Sequence, residues 1–251
     1  MRLMIRINKY LASLGVAARR KVDEMIVAGR VKVNGKIVAL GTKIDPGRDE
    51  ILVDGKRINI SQKLVYIAFN KPKGVTSTVS DSHAQKTFMD LVRVEQRVFP
   101  VGRLDINSQG LMLLTNDGEL ANRLIHPRYH VAKKYEVLIG GKVREKTLEK
   151  LRSGVFLDGE KTKPVEVEVS ARGGSAFGGK VQGGKNTLVE MTLYEGRKRQ
   201  IRRMCASLHL FVLYLKRVAI GPLVLGDLKE GEWRNLASEE VIVLKKAVGD
   251  I

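Results

Sequence analysis

The sequence predicts an α+β protein in two blocks: a small basic unit over residues 1–60 and a larger domain over 61–251 built on a mixed, largely antiparallel sheet. Three observations carry this. Apolar residues recur at the helical period in some segments and at period two in others, without the strand–helix–strand rhythm of a parallel α/β fold. Charge density breaks near residue 60, with 13 basic and 6 acidic residues before it (net +7) and 32 and 21 after it (net +11). The 251 residues are 43% hydrophobic and 29% charged, enough to bury a core.

In the first block, Ile7, Tyr10, Leu11 and Leu14 follow the i, i+3, i+4, i+7 pattern of a short helix, and Gly15 suits its C-terminal end. Val22, Met25 and Ile26 form a second apolar stripe closed by Gly29. Val31-Lys32-Val33 then alternates, Asn34-Gly35 is a strong two-residue hairpin turn, and Lys36-Ile37-Val38 returns. Asp45-Pro46-Gly47 and Asp54-Gly55 punctuate the rest.

In the second block, Leu64–Phe69 reads as a buried strand followed by the loop Asn70-Lys71-Pro72-Lys73-Gly74. Leu111–Thr115 is another strand, turned by Asn116-Asp117-Gly118. A helix from Glu119 must end before Pro127. Tyr135–Ile139 is strand-like, and Val143–Leu151 is helical with Leu148 and Leu151 on one side. Val165, Val167 and Val169 alternate with glutamates, as in a half-buried strand. Six of the twelve residues in 173–184 are glycine, which predicts a flexible loop. Thr187, Val189, Met191 and Leu193 begin a further strand. A helix over Arg199–Leu208, a strand over Leu210–Leu215 and a last helix capped by Ser238 complete the chain.

Composition narrows the chemistry. A net charge of +18 and a pI near 10.0 favour a polyanionic partner, nucleic acid or an acidic membrane surface. The single cysteine, Cys205, excludes a disulfide framework and a Cys-based zinc site. Histidines 83, 126, 130 and 209 lack metal-ligand spacing. No phosphate-cradling glycine loop is present, so no nucleotide cofactor and no metal are expected. The apolar run Leu210–Leu215 is far too short to span a membrane, no long basic amphipathic helix is visible, and the first ten residues hold no apolar leader core. The expectation is a cytoplasmic protein without a membrane partner, and by default a monomer.

Two clusters of cations stand out. Arg19-Arg20-Lys21 opens the second helix, where three positive charges oppose the helix dipole. They are either a solvated run or an RNA phosphate site, and a phosphate placed there would relieve the opposition to the dipole. The segment from Gly196 to Arg203 holds five cations in eight residues. Ile201, Met204, Cys205 and Leu208 would face a core, leaving Arg203 nearer solvent and Arg202 along the sheet. The alternatives there are phosphate binding and a solvated helix face. Asp105, between an apolar strand end and a polar loop, reads from spacing alone as a turn or capping aspartate.

Residues Arg6-Ile7-Asn8-Lys9-Tyr10-Leu11-Ala12, Gly15, Ala18-Arg19-Arg20, Gly29-Arg30-Val31 and Val33-Asn34-Gly35 together resemble an S4-type RNA-binding domain. Ala18 stands where a serine is common. Gly102-Arg103-Leu104-Asp105 followed by Gly110–Gly118 resembles the active-site motif of the bacterial ribosomal pseudouridine synthases of the RsuA type, which carry such a domain in front. Asn70–Gly74, His126-Pro127-Arg128-Tyr129, Lys133 with Tyr135, Glu195-Gly196-Arg197, Arg199–Met204, Leu215-Lys216-Arg217 and Ile220–Leu223 continue it in order. Asn107-Ser108-Gln109 replaces a commoner acidic run.

That resemblance implies isomerisation of uridine in ribosomal RNA without a cofactor, acting on free RNA or an assembly intermediate, with the basic balance leaning towards the large subunit. It implies Asp105 as nucleophile or base, Tyr135 stacking on a flipped base, and Arg202 keeping Asp105 ionised. Arg103, Lys133, Leu215 and Arg217 are the implied substrate contacts. Arg6, Lys9, Arg19, Arg20, Lys21, Arg30, Arg197, Arg199 and Arg203 are the expected RNA-binding cations. The alternative is a non-catalytic RNA-binding or ribosome-assembly protein with a structural Asp105.

Overall fold

The structure, a computed structural model, describes residues 4–58, 63–79, 85–170 and 186–249. The glycine-rich stretch 173–184 lies outside the described residues. The chain forms two compact units: residues 1–65 with 94–98 and 116–118, and the remainder.

In the first unit, strand β1 (Ile5–Arg6) leads into helix α1 (Ile7–Ser13), and helix α2 (Arg19–Val27) follows. Strands β2 (Val31–Val33), β3 (Lys36–Ile37), β4 (Lys43–Ile44), β5 (Ile51–Val53) and β6 (Lys56–Arg57) complete it. Ile5 pairs with Ile44, and a four-stranded sheet runs β3-β2-β5-β6. Both predicted apolar stripes meet in one core, with Ile7, Tyr10, Leu11, Val22, Met25 and Ile26 buried. The Asn34-Gly35 turn has φ of 50° and 80°, the left-handed pair a tight hairpin needs. A second such hairpin, β5–β6 through Asp54-Gly55, was legible only as a turn, because its strands are two and three residues long.

The second unit contains β7 (Tyr66–Lys71), β8 (Phe99–Pro100), β9 (Gln109–Thr115), α3 (Gly118–Ile125), β10 (Lys133–Gly140) and α4 (Glu145–Ser153). Then come β11 (Phe156–Leu157), β12 (Glu160–Lys161), β13 (Glu166–Val169), β14 (Asn186–Leu193), α5 (Gln200–Ser207), β15 (Val212–Ile220), β16 (Leu223–Val224), β17 (Trp233–Asn235) and α6 (Ser238–Lys246). The main sheet runs β13-β14-β10-β15-β9-β7-β17, antiparallel throughout except where β15 lies parallel to β9. The α+β expectation therefore holds. Val137, Ile139, Val167, Val189 and Met191 pack with α4 and α5 residues in one core; Leu111, Leu113, Leu120 and Leu244 belong to another.

Two local expectations are corrected. The strand expected over Leu210–Leu215 starts at Val212 and continues through Lys216 and Arg217 to Ile220, because β10 pairs along that length and β9 covers the charged end. Ser238 does not cap α6. Ala237 occupies that position, and the Glu240 carboxylate accepts its N–H at 2.9 Å. Among the described residues, no helix is long and apolar enough to cross a membrane.

Candidate active site

Asp105 sits in the loop between β8 and β9, and that loop is held through its backbone. Five consecutive carbonyls each accept a hydrogen bond. Ser77 Oγ donates to Leu104 O (2.8 Å), Ser108 N to Asp105 O (2.9 Å) and Gly74 N to Ile106 O (2.8 Å). Arg202 Nη2 donates to Asn107 O (2.8 Å), and Lys71 Nζ donates to Ser108 O (2.8 Å) and to Pro72 O (2.9 Å). Ser77 also accepts from Leu104 N–H at 3.1 Å. A polar loop fixed at every carbonyl loses little entropy on presenting its one carboxylate, which is the preorganisation that acid–base or nucleophilic work requires.

The carboxylate lines a cleft of about 450 Å³. Tyr135 from β10, Leu215 from β15, and Leu193 and Ile201 supply its apolar lining; Arg103, Glu195, Arg197 and Arg199 supply charge. Tyr135 stands there because β10 is the central partner of both β14 and β15, with Tyr135 opposite Met191 and Arg217. The structure thus brings together Asp105, Arg103, Tyr135, Leu215, Arg197 and Arg199 from the sequence-predicted set.

Arg202 takes a different place from the expected one. Among the described residues, no guanidinium–carboxylate ion pair with Asp105 forms. Arg202 directs Nη2 to the Asn107 carbonyl and Nη1 to Val212 O at 3.3 Å, so it supports the loop backbone. Burial lowers its pKa first and the Arg199 charge next, while the Asp105 charge acts to raise it. Arg217 is only 3% exposed; its Nε donates to Leu111 O at 2.8 Å, while its Nη2 is buried without a hydrogen-bond partner among the described residues. Lys133 donates to Val131 O at 3.0 Å, and burial pushes its ammonium down to about 8, with Arg217 adding to the shift.

Lys71 is the residue that spacing could not single out. It is fully buried beside the loop, and burial pushes it down to about 8, opposed by the charges of Asp105 and Glu230 and reinforced by Arg217. The only sequence signal was its place in Asn70–Gly74. Because its folded pKa lies below the ordinary value of 10.5, the cost of burying the ammonium is fully present below pH 8 and is relieved as pH rises towards 10.5. Wild type should therefore gain thermal stability relative to Lys71→Met between pH 7 and 9.5. A melting-temperature difference that stays constant over that range would contradict the burial of a titrating amine.

The N-terminal cations divide. Arg6, Lys9, Arg19 and Arg20 are exposed and have no acidic partner within 4.0 Å among the described residues. Lys21 is paired with Glu24, and Arg30 makes a two-pronged pair with Asp54 at 2.6 and 2.7 Å. In the second unit Arg203 pairs with Asp158, and Arg197 lies near Glu160 and Glu195.

Residues 65–207 match the RNA pseudouridylate synthase family and residues 5–50 match the S4 domain. A protein of Aquifex aeolicus (strain VF5) named as an uncharacterized RNA pseudouridine synthase is 45% identical over 98% of this chain and 95% of its own length. A Bacillus subtilis (strain 168) protein named ribosomal large subunit pseudouridine synthase B is 38% identical, covering 95% of this chain and 94% of that one. A solved pseudouridylate synthase structure superposes with a TM-score of 0.66 at 30% identity, over 96% of this chain and 99% of that one.

Proposed function

The chain belongs to the RNA pseudouridylate synthase family, and from that premise we propose that it isomerises uridine to pseudouridine in large-subunit ribosomal RNA, with Asp105 as the catalytic carboxylate. The observation that carries the residue assignment is the Asp105 loop, whose five carbonyls are all satisfied while its carboxylate faces a cleft lined by Tyr135 and Leu215. The name of the Bacillus subtilis relative supports the choice of large-subunit RNA.

In the reaction the bond between the sugar C1′ and uracil N1 breaks, and a bond from C1′ to ring carbon C5 forms. The C5 proton leaves and N1 gains one, so atoms balance and nothing is oxidised or reduced. A carboxylate is ionised at neutral pH and can act as nucleophile or base without a separate activating group. A target uridine within folded RNA must be flipped out to reach it, and Tyr135 offers the ring against which the extruded base stacks. The domain boundary is proposed near residue 60. The exposed Arg6, Lys9, Arg19 and Arg20 then hold phosphates on the N-terminal side, and Arg103 and Arg199 do so at the cleft. The protein acts in the cytoplasm, as a monomer, on free RNA or an assembly intermediate.

Incubation of the purified protein with unmodified ribosomal RNA, followed by chemical labelling of pseudouridine and primer extension, tests this. New stops in large-subunit RNA are expected. Stops confined to small-subunit RNA would overturn the substrate assignment, and binding without any stop would favour the non-catalytic alternative.

Arg202 acts in this scheme through the loop. Arg202→Ala frees the Asn107 carbonyl, and a misplacement of about 1 Å at a reacting group costs on the order of 100-fold in rate. Single-turnover rates should fall by about 10- to 100-fold, with much less change in RNA affinity. Arg203→Ala, which breaks the exposed pair with Asp158 and a long 3.5 Å bond to Lys198 O, should leave the single-turnover rate within about twofold. Equal rates for Arg202→Ala and wild type would remove Arg202 from the site.

A further inference from the structure

Strands β11 and β12 form a small hairpin between α4 and β13, joined by Asp158-Gly159 at φ of 54° and 82°. Its base is tightly built. Thr162 N donates to Val155 O at 2.8 Å, and Val155 N donates to Thr162 Oγ1 at 3.1 Å. Leu157 is buried in the core, while Phe156 is 70% exposed, directly across the hairpin from Lys161.

The hairpin is braced to the cleft. Arg197, which lines the cleft with Asp105, donates Nη2 to Lys161 O at 3.1 Å and Nη1 to Glu160 O at 3.5 Å. Asp158 is paired with Arg203, and Glu160 lies 3.5 Å from Arg197. The acidic side chains of the hairpin are thereby offset. The exposed Lys161 and Lys163 have no ion-pair partner among the described residues. The result is a solvent-facing aromatic ring opposite an ammonium group without an ion-pair partner among the described residues, on a hairpin hydrogen-bonded to a cleft side chain.

We propose that this hairpin is a second RNA contact, in which Phe156 stacks on an unpaired base flanking the target uridine and Lys161 and Lys163 meet its phosphates. The proposal rests on the RNA-modifying reading above. A ring face and a cation on one rigid element are what sequence-tolerant binding of unpaired RNA uses, and removing such a ring typically costs about 5- to 150-fold in affinity. An apolar protein partner fits less well, because the ring stands among charged side chains and its support runs to the cleft.

The test uses the full chain and transcribed large-subunit ribosomal RNA substituted with 4-thiouridine. After irradiation, trypsin should release a cross-linked peptide from Ser153 to Lys161. Phe156→Ala should lose the cross-link and raise the RNA Kd by about 5- to 150-fold, and Phe156→Tyr, which keeps the ring, should restore both. Unchanged Kd and cross-link in the alanine variant would overturn the proposal. So would equal losses in the alanine and tyrosine variants, since these report damage other than loss of stacking. Pseudouridine formed by wild type on the same RNA reports the parent reading separately: its absence beside an intact cross-link would remove the large-subunit assignment and leave the contact standing.

Discussion

Asp105→Asn is expected to abolish pseudouridine formation while leaving the fold and RNA affinity nearly unchanged. The loop depends on backbone carbonyls held by Ser77, Gly74, Ser108, Arg202 and Lys71, none of which binds the Asp105 carboxylate. An amide of the same size therefore leaves the support in place. A merely structural aspartate at such a turn would cost no more than about 1–2 kcal/mol. The amide lacks the anionic lone pair that nucleophilic or base chemistry needs, and losing such a group typically lowers turnover by about 10⁴-fold or more. Pseudouridine labelling and melting temperature, measured on the same preparation, separate the two readings. Wild-type product from the asparagine variant would sink the assignment of Asp105.

Gly110→Ala should be the most damaging substitution for stability. Gly110 lies in the stretch where β9 runs parallel to β15, opposite Arg217, and its φ is +102°. A Cβ there would lie 2.2 Å from Arg217 O and 2.7 Å from Arg217 N. Those atoms are backbone, and Arg217 is also paired with Tyr135 of β10, so β15 cannot retreat without opening the centre of the sheet. Overpacking of about 1–3 kcal/mol and backbone strain of similar size add to about 2–6 kcal/mol. A melting point lower by on the order of 10 °C follows. Gly141→Ala is the control: its φ is +84°, but nothing lies within 4 Å of the added atom, so it carries only the conformational cost, about 1 kcal/mol. Equal melting points for the two variants would show that the β9–β15 approach is looser than described.

The sequence by itself determined what is local or additive. Net charge is a sum over residues, so the leaning towards a polyanion needed no structure. The stripes Ile7-Tyr10-Leu11 and Val22-Met25-Ile26, the Asn34-Gly35 turn and the alternation in β13 and β14 are set by chain geometry over a few residues. The run Gly102–Asp105 was readable as an active-site motif only by resemblance; its spacing alone suggested a turn.

Tertiary structure decided which partner each charge found. Arg202, Arg203 and Arg197 lie within seven residues, yet one braces the Asn107 carbonyl, one pairs with Asp158 and one spans a hairpin and the cleft. Lys71, read as a loop residue, became the buried donor to Ser108 O, and Arg217, implied only as a substrate contact, is also a donor to Leu111 O of β9. A side chain's propensity is fixed by its own covalent structure. Its hydrogen-bond acceptors and its desolvation come from strands many tens of residues away, and these become neighbours only when β7, β9, β10 and β15 assemble into one sheet.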